Sequence, residues 1–123
     1  MDHEEFIARL SADCTQVTKS IIEELDVGRV PENRGASMRA AWYRSASPSD
    51  RQAVASIVSY AVYSTFFHFL VELDGVGQVA GNPEEGMYEL RYVEGGKSTI
   101  LNTPDDEELH DLFNDAMWSK LYE

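Results

Sequence analysis

The stretch from Ala53 to Leu73 runs for 21 residues with a single formal charge, Glu72. A run of that length and apolarity is either a membrane span or the central helix of a packed domain. Ser56, Ser59, Tyr60, Tyr63, Ser64, Thr65 and His68 interrupt it, Arg51 is its one basic flank, and it ends in Glu-Leu-Asp-Gly. Those features favour a buried helix over a lipid-facing one. Its start is well marked. Ser47 can cap it, Pro48 suits the first turn, and Ser49 with Gln52 offers a second capping box. Val54, Ile57, Val58, Ala61, Val62, Thr65, Phe69 and Leu73 form one broad apolar face. The opposite side begins with Gln52, Ser56 and Ser59 and then turns aromatic at Tyr60, Tyr63 and Phe67. The second half of this helix is therefore expected to be covered on both sides.

The remaining segments supply the cover. Residues 2–26 read as a helix: Asp2 and Glu5 resemble a capping box, and Phe6, Leu10, Cys14, Val17, Ile21 and Leu25 make one stripe that Ile7 and Ile22 widen. Gly28 marks its stop, and Val30 to Gly35 is a turn region. A short helix is expected over 36–45, with Met38, Ala41 and Trp42. Residues 75–86 hold four glycines and a proline, so they read as a loop, with a short third strand over 76–79 left open. Residues 87–94 alternate, Gly95-Gly96 suits a two-residue primed turn, and 97–102 return as the second strand of a hairpin. Tyr88, Leu90, Tyr92 and Leu101 share the face expected to pack on a helix. Thr103, Pro104 and the acids Asp105 to Glu108 read as the start of a last helix, whose apolar stripe is Leu109, Leu112, Phe113, Ala116, Met117 and Leu121. The expectation is one α+β domain over 1–123, in the order α-α-α-β-β-α, with the third helix central; the alternative is a helical bundle with a peripheral hairpin.

Charge restricts the partners. The chain has 22 acids against 10 bases, a net charge of −12. Nucleic acid and anionic membrane surfaces would repel it on average, so a basic protein is the better-matched partner. The distribution is uneven: residues 1–26 are net −5, 27–51 net +3, 52–71 neutral and 72–123 net −10. The arginines at 29, 34, 39, 44 and 51 are expected to lie against the acidic flanks. The lone Cys14 cannot form an internal disulfide, and on an apolar helix face it reads as a small core residue. Met-Asp-His-Glu-Glu lacks the apolar core of a secretory signal, so a cytoplasmic chain is expected. Nothing in the sequence sets the oligomeric state.

No catalytic set is recognisable. Nucleophile-elbow and phosphate-loop patterns are absent, and Gly75, Gly77 and Gly81 miss the dinucleotide spacing. His68 and Glu72 share a helix face and are the one pair suited to metal or acid–base work. Without a histidine or cysteine nearby to complete a ligand set, a structural pair is the expectation. His110, Asp111, Asp115 and the acids before them can approach a cation, but their spacing does not match a calcium loop, so a solvated face is expected. No cofactor or metal is expected. Trp42, Tyr88, Tyr92, Trp118 and Tyr122 are the aromatics least committed to a core, and aromatics beside acids suit a basic partner.

The segment Phe66-Phe67-His68-Phe69-Leu70-Val71-Glu72-Leu73-Asp74-Gly75, with the length, acidity and element order, resembles the small immunity proteins of bacterial polymorphic-toxin and contact-inhibition systems. That resemblance implies a compact acidic domain that sits on a cognate toxin and blocks it. The expected contact residues are Glu84, Glu85, Glu89, Glu94, Asp105, Asp106, Glu108, Asp111 and Asp115. The alternatives are a metal-binding or hydrolytic domain built on His68 and Glu72, or an adaptor subunit.

Overall fold

A computed structural model describes residues 1–27, 34–75 and 86–122. The elements are α1 (His3–Val27), α2 (Arg34–Ser45), α3 (Pro48–Leu73), β1 (Arg91–Glu94), β2 (Lys97–Ile100) and α4 (Leu109–Tyr122). This is the α+β class in the expected order. The chain divides into two compact units, Cys14–Val62 and Met1–Asp13 with Tyr63–Glu123. Of the expected turn over 30–35, residues 30–33 lie outside the described residues and 34–35 belong to α2, which starts two residues earlier than expected; the third strand expected over 76–79 also lies outside the described residues.

In Cys14–Val62, the Ser47 hydroxyl accepts the Asp50 N–H at 3.1 Å and so caps α3 as its sequence implies. Arg51 secures the preceding helix end. Its guanidinium donates to the Tyr43 carbonyl at 3.1 Å and to the Arg44 carbonyl, and lies 5.7 Å from the Tyr43 ring centre. A cation on the last carbonyls of α2 also complements the helix dipole. The expected pairing of the arginines with acids is not found: among the described residues no ion pair joins Arg39, Arg44 or Arg51 to a carboxylate, because backbone carbonyls take Arg44 and Arg51. Cys14, Ala40 and Tyr43 are buried, which places the cysteine in the core as expected.

In the other unit, Asp2 accepts the Glu5 N–H at 2.8 Å and caps α1. The buried line of α1 starts Ile7, Ser11, Cys14, one residue away from the expected Phe6, Leu10 start. Ser11 can occupy it because its hydroxyl donates to the Ile7 carbonyl at 2.8 Å. Phe113 of α4 is fully buried and stacks on Tyr63 at 5.7 Å and Phe66 at 6.1 Å. Leu70, Leu101, Leu109 and Met117 complete this core.

The hairpin has the expected register, with Tyr92 opposite Thr99 and Arg91 opposite Ile100. Gly95 and Gly96 have φ of 58° and 80°, the positive values a primed turn requires. Its strands are shorter than expected because Asn102 intervenes. Asn102 Oδ1 accepts the Leu90 N–H at 2.8 Å, and its Nδ2 donates to the carbonyls of Tyr88 at 3.0 Å and Leu73 at 2.8 Å. The Leu101 N–H still donates to the Leu90 carbonyl at 2.8 Å, but the Asn102 amide takes the reciprocal Leu90 N–H and ties the hairpin to the end of α3.

Two further expectations are corrected. The last helix does not begin at Thr103. That hydroxyl instead donates to Asp106 at 2.6 Å in a turn, and α4 starts at Leu109. Nor is α3 fully covered by the described residues. Leu70 is its one buried residue, whereas Ile57, Tyr60 and Phe69 are exposed. The helix carries apolar side chains on two sides. By length and composition α3 is also long and apolar enough to cross a membrane.

Candidate functional site

The best-defined polar constellation is built where α3 ends. Gly75 has φ of 78° and stops the helix in the left-handed conformation that glycine adopts without strain. That stop leaves Asp74 at the helix end, its side chain only 3% exposed. Its Oδ1 accepts the Leu109 N–H at 3.1 Å and its Oδ2 accepts the His110 N–H at 2.8 Å. Asp74 therefore does for α4 what a local cap residue usually does, from 35 residues away.

The same carboxylate fixes the His110 ring. Nδ1 lies 2.7 Å from Asp74 Oδ2, and an ionised carboxylate can only accept, so Nδ1 carries a proton. The edge of the ring meets Phe67 at 5.6 Å and 80°. Nε2 consequently faces outward, 3.3 Å from Glu108 and 3.4 Å from Asp111. An aspartate–histidine pair of this kind resembles the basic half of a hydrolytic triad. Among the described residues no hydroxyl or thiol is hydrogen-bonded to Nε2.

Fixing α4 also orders its outer face. Asp111, Asp115 and Trp118 follow one another at intervals of four and three, within an arc of about 60°, and Glu108 immediately precedes the helix. All four are exposed, Trp118 at 57%. The opposite side holds the buried Leu109, Phe113 and Met117, as their spacing predicts.

The other expected contact residues are dispersed. Glu89 and Glu94 are exposed on the hairpin, the first paired with Arg91 and the second 3.3 Å from the Tyr92 hydroxyl. Asp105 is exposed in the turn before α4. Asp106 is tied to Thr103 and lies 3.8 Å from His3. Glu84 and Glu85 lie outside the described residues. His68 is exposed, with its ring 5.5 Å from Phe67, and Glu72 is half-buried. No metal-capable group among the described residues includes either of them.

Sequence reasoning did not single out Asp74. The pattern Leu-Asp-Gly could signal only a helix end, since its partner is distant in the chain. Trp118 was legible as an aromatic outside the apolar stripe, but not as the end of an acidic row.

A separate apolar groove of about 490 Å³ lies within Cys14–Val62, between Ile21 and Leu25 of α1, Met38 and Trp42 of α2, and Val54 and Val58 of α3. No protein-family model, curated protein or solved structure matches the chain.

Proposed function

We propose that this chain is a non-enzymatic protein-binding domain whose contact face is the outer side of α4, and that its partner is a basic protein. The observation carrying this reading is the exposed row Asp111, Asp115 and Trp118, with Glu108 just before it. Tryptophan is among the residues that most often anchor interfaces, and its ring face attracts arginine and lysine. The three acids would steer a basic surface towards that ring, and the net charge of −12 acts in the same direction at longer range. Asp105, immediately before the helix, extends the negative field.

Within this reading, we propose an inhibitor of the immunity-protein kind that acts in the cytoplasm by covering a basic toxin. Acidic residues govern how fast such a complex forms, and Trp118, once covered by the partner, governs how long it lasts.

The test is affinity capture from lysate of the source cells, washed at low and then high salt, with wild type and a Trp118→Ala/Asp115→Asn variant side by side. Both exchanged side chains are exposed, so the fold should tolerate them. One basic protein retained by wild type and lost by the variant is the expected result. Identical captured proteins for both would remove the α4 face from the account.

A further inference from the structure

We propose that the apolar groove within Cys14–Val62 binds a medium-chain fatty acid, with Arg39 as the partner of its carboxylate. The site lies wholly in that unit and does not rest on the protein-binding reading of α4. Size and lining come first. The volume of about 490 Å³ falls within the roughly 300–1,000 Å³ over which clefts take small molecules. Each wall is an apolar pair four residues apart on one helix: Ile21 and Leu25, Met38 and Trp42, Val54 and Val58. Such a pair spans about 6 Å along the helix axis, so with its side chains added the groove suits an acyl chain of about eight to twelve carbons. A docked helix fits less well, because its anchors recur over two or more turns and each wall here is one turn long. Tyr43, which also lines the groove, is buried, and Arg51 holds it by its carbonyl at 3.1 Å and its ring at 5.7 Å. That wall is therefore formed in advance. Met38 and Trp42 are 62% and 55% exposed, so their apolar area stays in water until a ligand covers it.

Charge identifies the head group. Arg39 is the one charged residue among those lining the groove. Its neighbours are committed elsewhere: Arg44 donates to the Ala40 carbonyl, and Arg51 to the Tyr43 and Arg44 carbonyls. Among the described residues no ion pair or hydrogen bond engages the Arg39 side chain. A guanidinium matches a carboxylate through two parallel hydrogen bonds. One such group, with no second base in the lining, suits a single negative charge better than a phosphate monoester. No carboxylate of the protein lines the groove. Glu23 and Glu24 of α1 border a different depression, with Ser20 and Val27. Residues 27–51 are also net +3, so a small anion meets a favourable local charge there despite the net −12 of the chain.

The experiment is calorimetric titration of the delipidated full chain with sodium decanoate below its micellar concentration, with ¹H–¹³C methyl spectra recorded alongside. One decanoate per chain is expected, with the Met38, Val54 and Val58 methyl resonances moving on binding. Decanol, which has the same chain without the charge, should bind more weakly. Arg39→Gln should weaken decanoate binding at least about tenfold, leave decanol binding unchanged and keep the melting temperature near wild type. Val58→Phe, which fills the groove, should remove binding of both. Absence of saturable binding, decanol binding as tight as decanoate in the wild type, or equal decanoate affinity in the wild type and Arg39→Gln would overturn the proposal. So would methyl shifts confined to residues outside the groove. Concentration-dependent self-association that decanoate does not displace and Val58→Phe abolishes would assign the groove to a second copy and overturn it as well.

Discussion

Replacing Asp74 with alanine tests how α4 is held. The carboxylate is almost wholly buried and accepts from the Leu109 N–H, the His110 N–H and His110 Nδ1 at 2.7–3.1 Å. Loss of an N-cap costs about 0.5–2 kcal/mol. Hydrogen bonds to a charged group contribute about 1.5–3 kcal/mol, and donors left unpaired where water is scarce add to the loss. These contributions overlap, so the expected net destabilisation is about 2–4 kcal/mol. Urea unfolding by linear extrapolation measures it, with an unchanged m-value marking a pure stability effect. Asp74→Asn should fall in between, because the amide oxygen still accepts. Asp74→Ala combined with His110→Ala should be non-additive by at least about 0.5 kcal/mol. An Asp74→Ala loss below about 0.5 kcal/mol, ordinary for a surface position, would refute the assignment of Asp74 as the anchor of α4.

Three further outcomes are expected. Asn102→Ala should cost about 2–3 kcal/mol and make the Leu90 amide exchange faster, since one side chain serves three backbone groups; unaltered exchange would count against the clamp. Gly96→Ala should cost about 1–2 kcal/mol from backbone strain alone, because φ is 80° and nothing lies within 4 Å of an added Cβ; thermal unfolding reads this loss. Phe113→Ala should cost about 3–5 kcal/mol, whereas Phe69→Ser, at a 64% exposed position, should stay within about 1 kcal/mol; comparable losses would contradict the placement of the core.

The elements whose signals are local were legible in the sequence. Ser47 and Pro48 fixed the start of α3, Asp2 that of α1, and Gly95-Gly96 the hairpin register. What failed depends on distant partners. Thr103-Pro104 is a strong local helix start, yet Asp74 supplies the cap that decides where α4 begins, and Thr103 is used in a turn. The shorter strands follow from Asn102, whose backbone partners lie as far as 29 residues away in the chain. Periodicity identified the apolar faces of α3 but not how much chain is available to cover them, so the exposure of Ile57, Tyr60 and Phe69 was illegible. For the site, composition pointed to acids in general. In α4, helix geometry groups Asp111 and Asp115 with Trp118 on one exposed face, with Glu108 just before it.

The most direct test of the protein-binding account is the association and dissociation kinetics of the captured partner, measured across a range of salt. Asp105→Asn/Asp111→Asn/Asp115→Asn should slow association and flatten its salt dependence. Trp118→Ala should chiefly speed dissociation, by about thirtyfold for a hot-spot loss near 2 kcal/mol. Wild-type kinetics in both variants would contradict the claim that α4 presents the binding face.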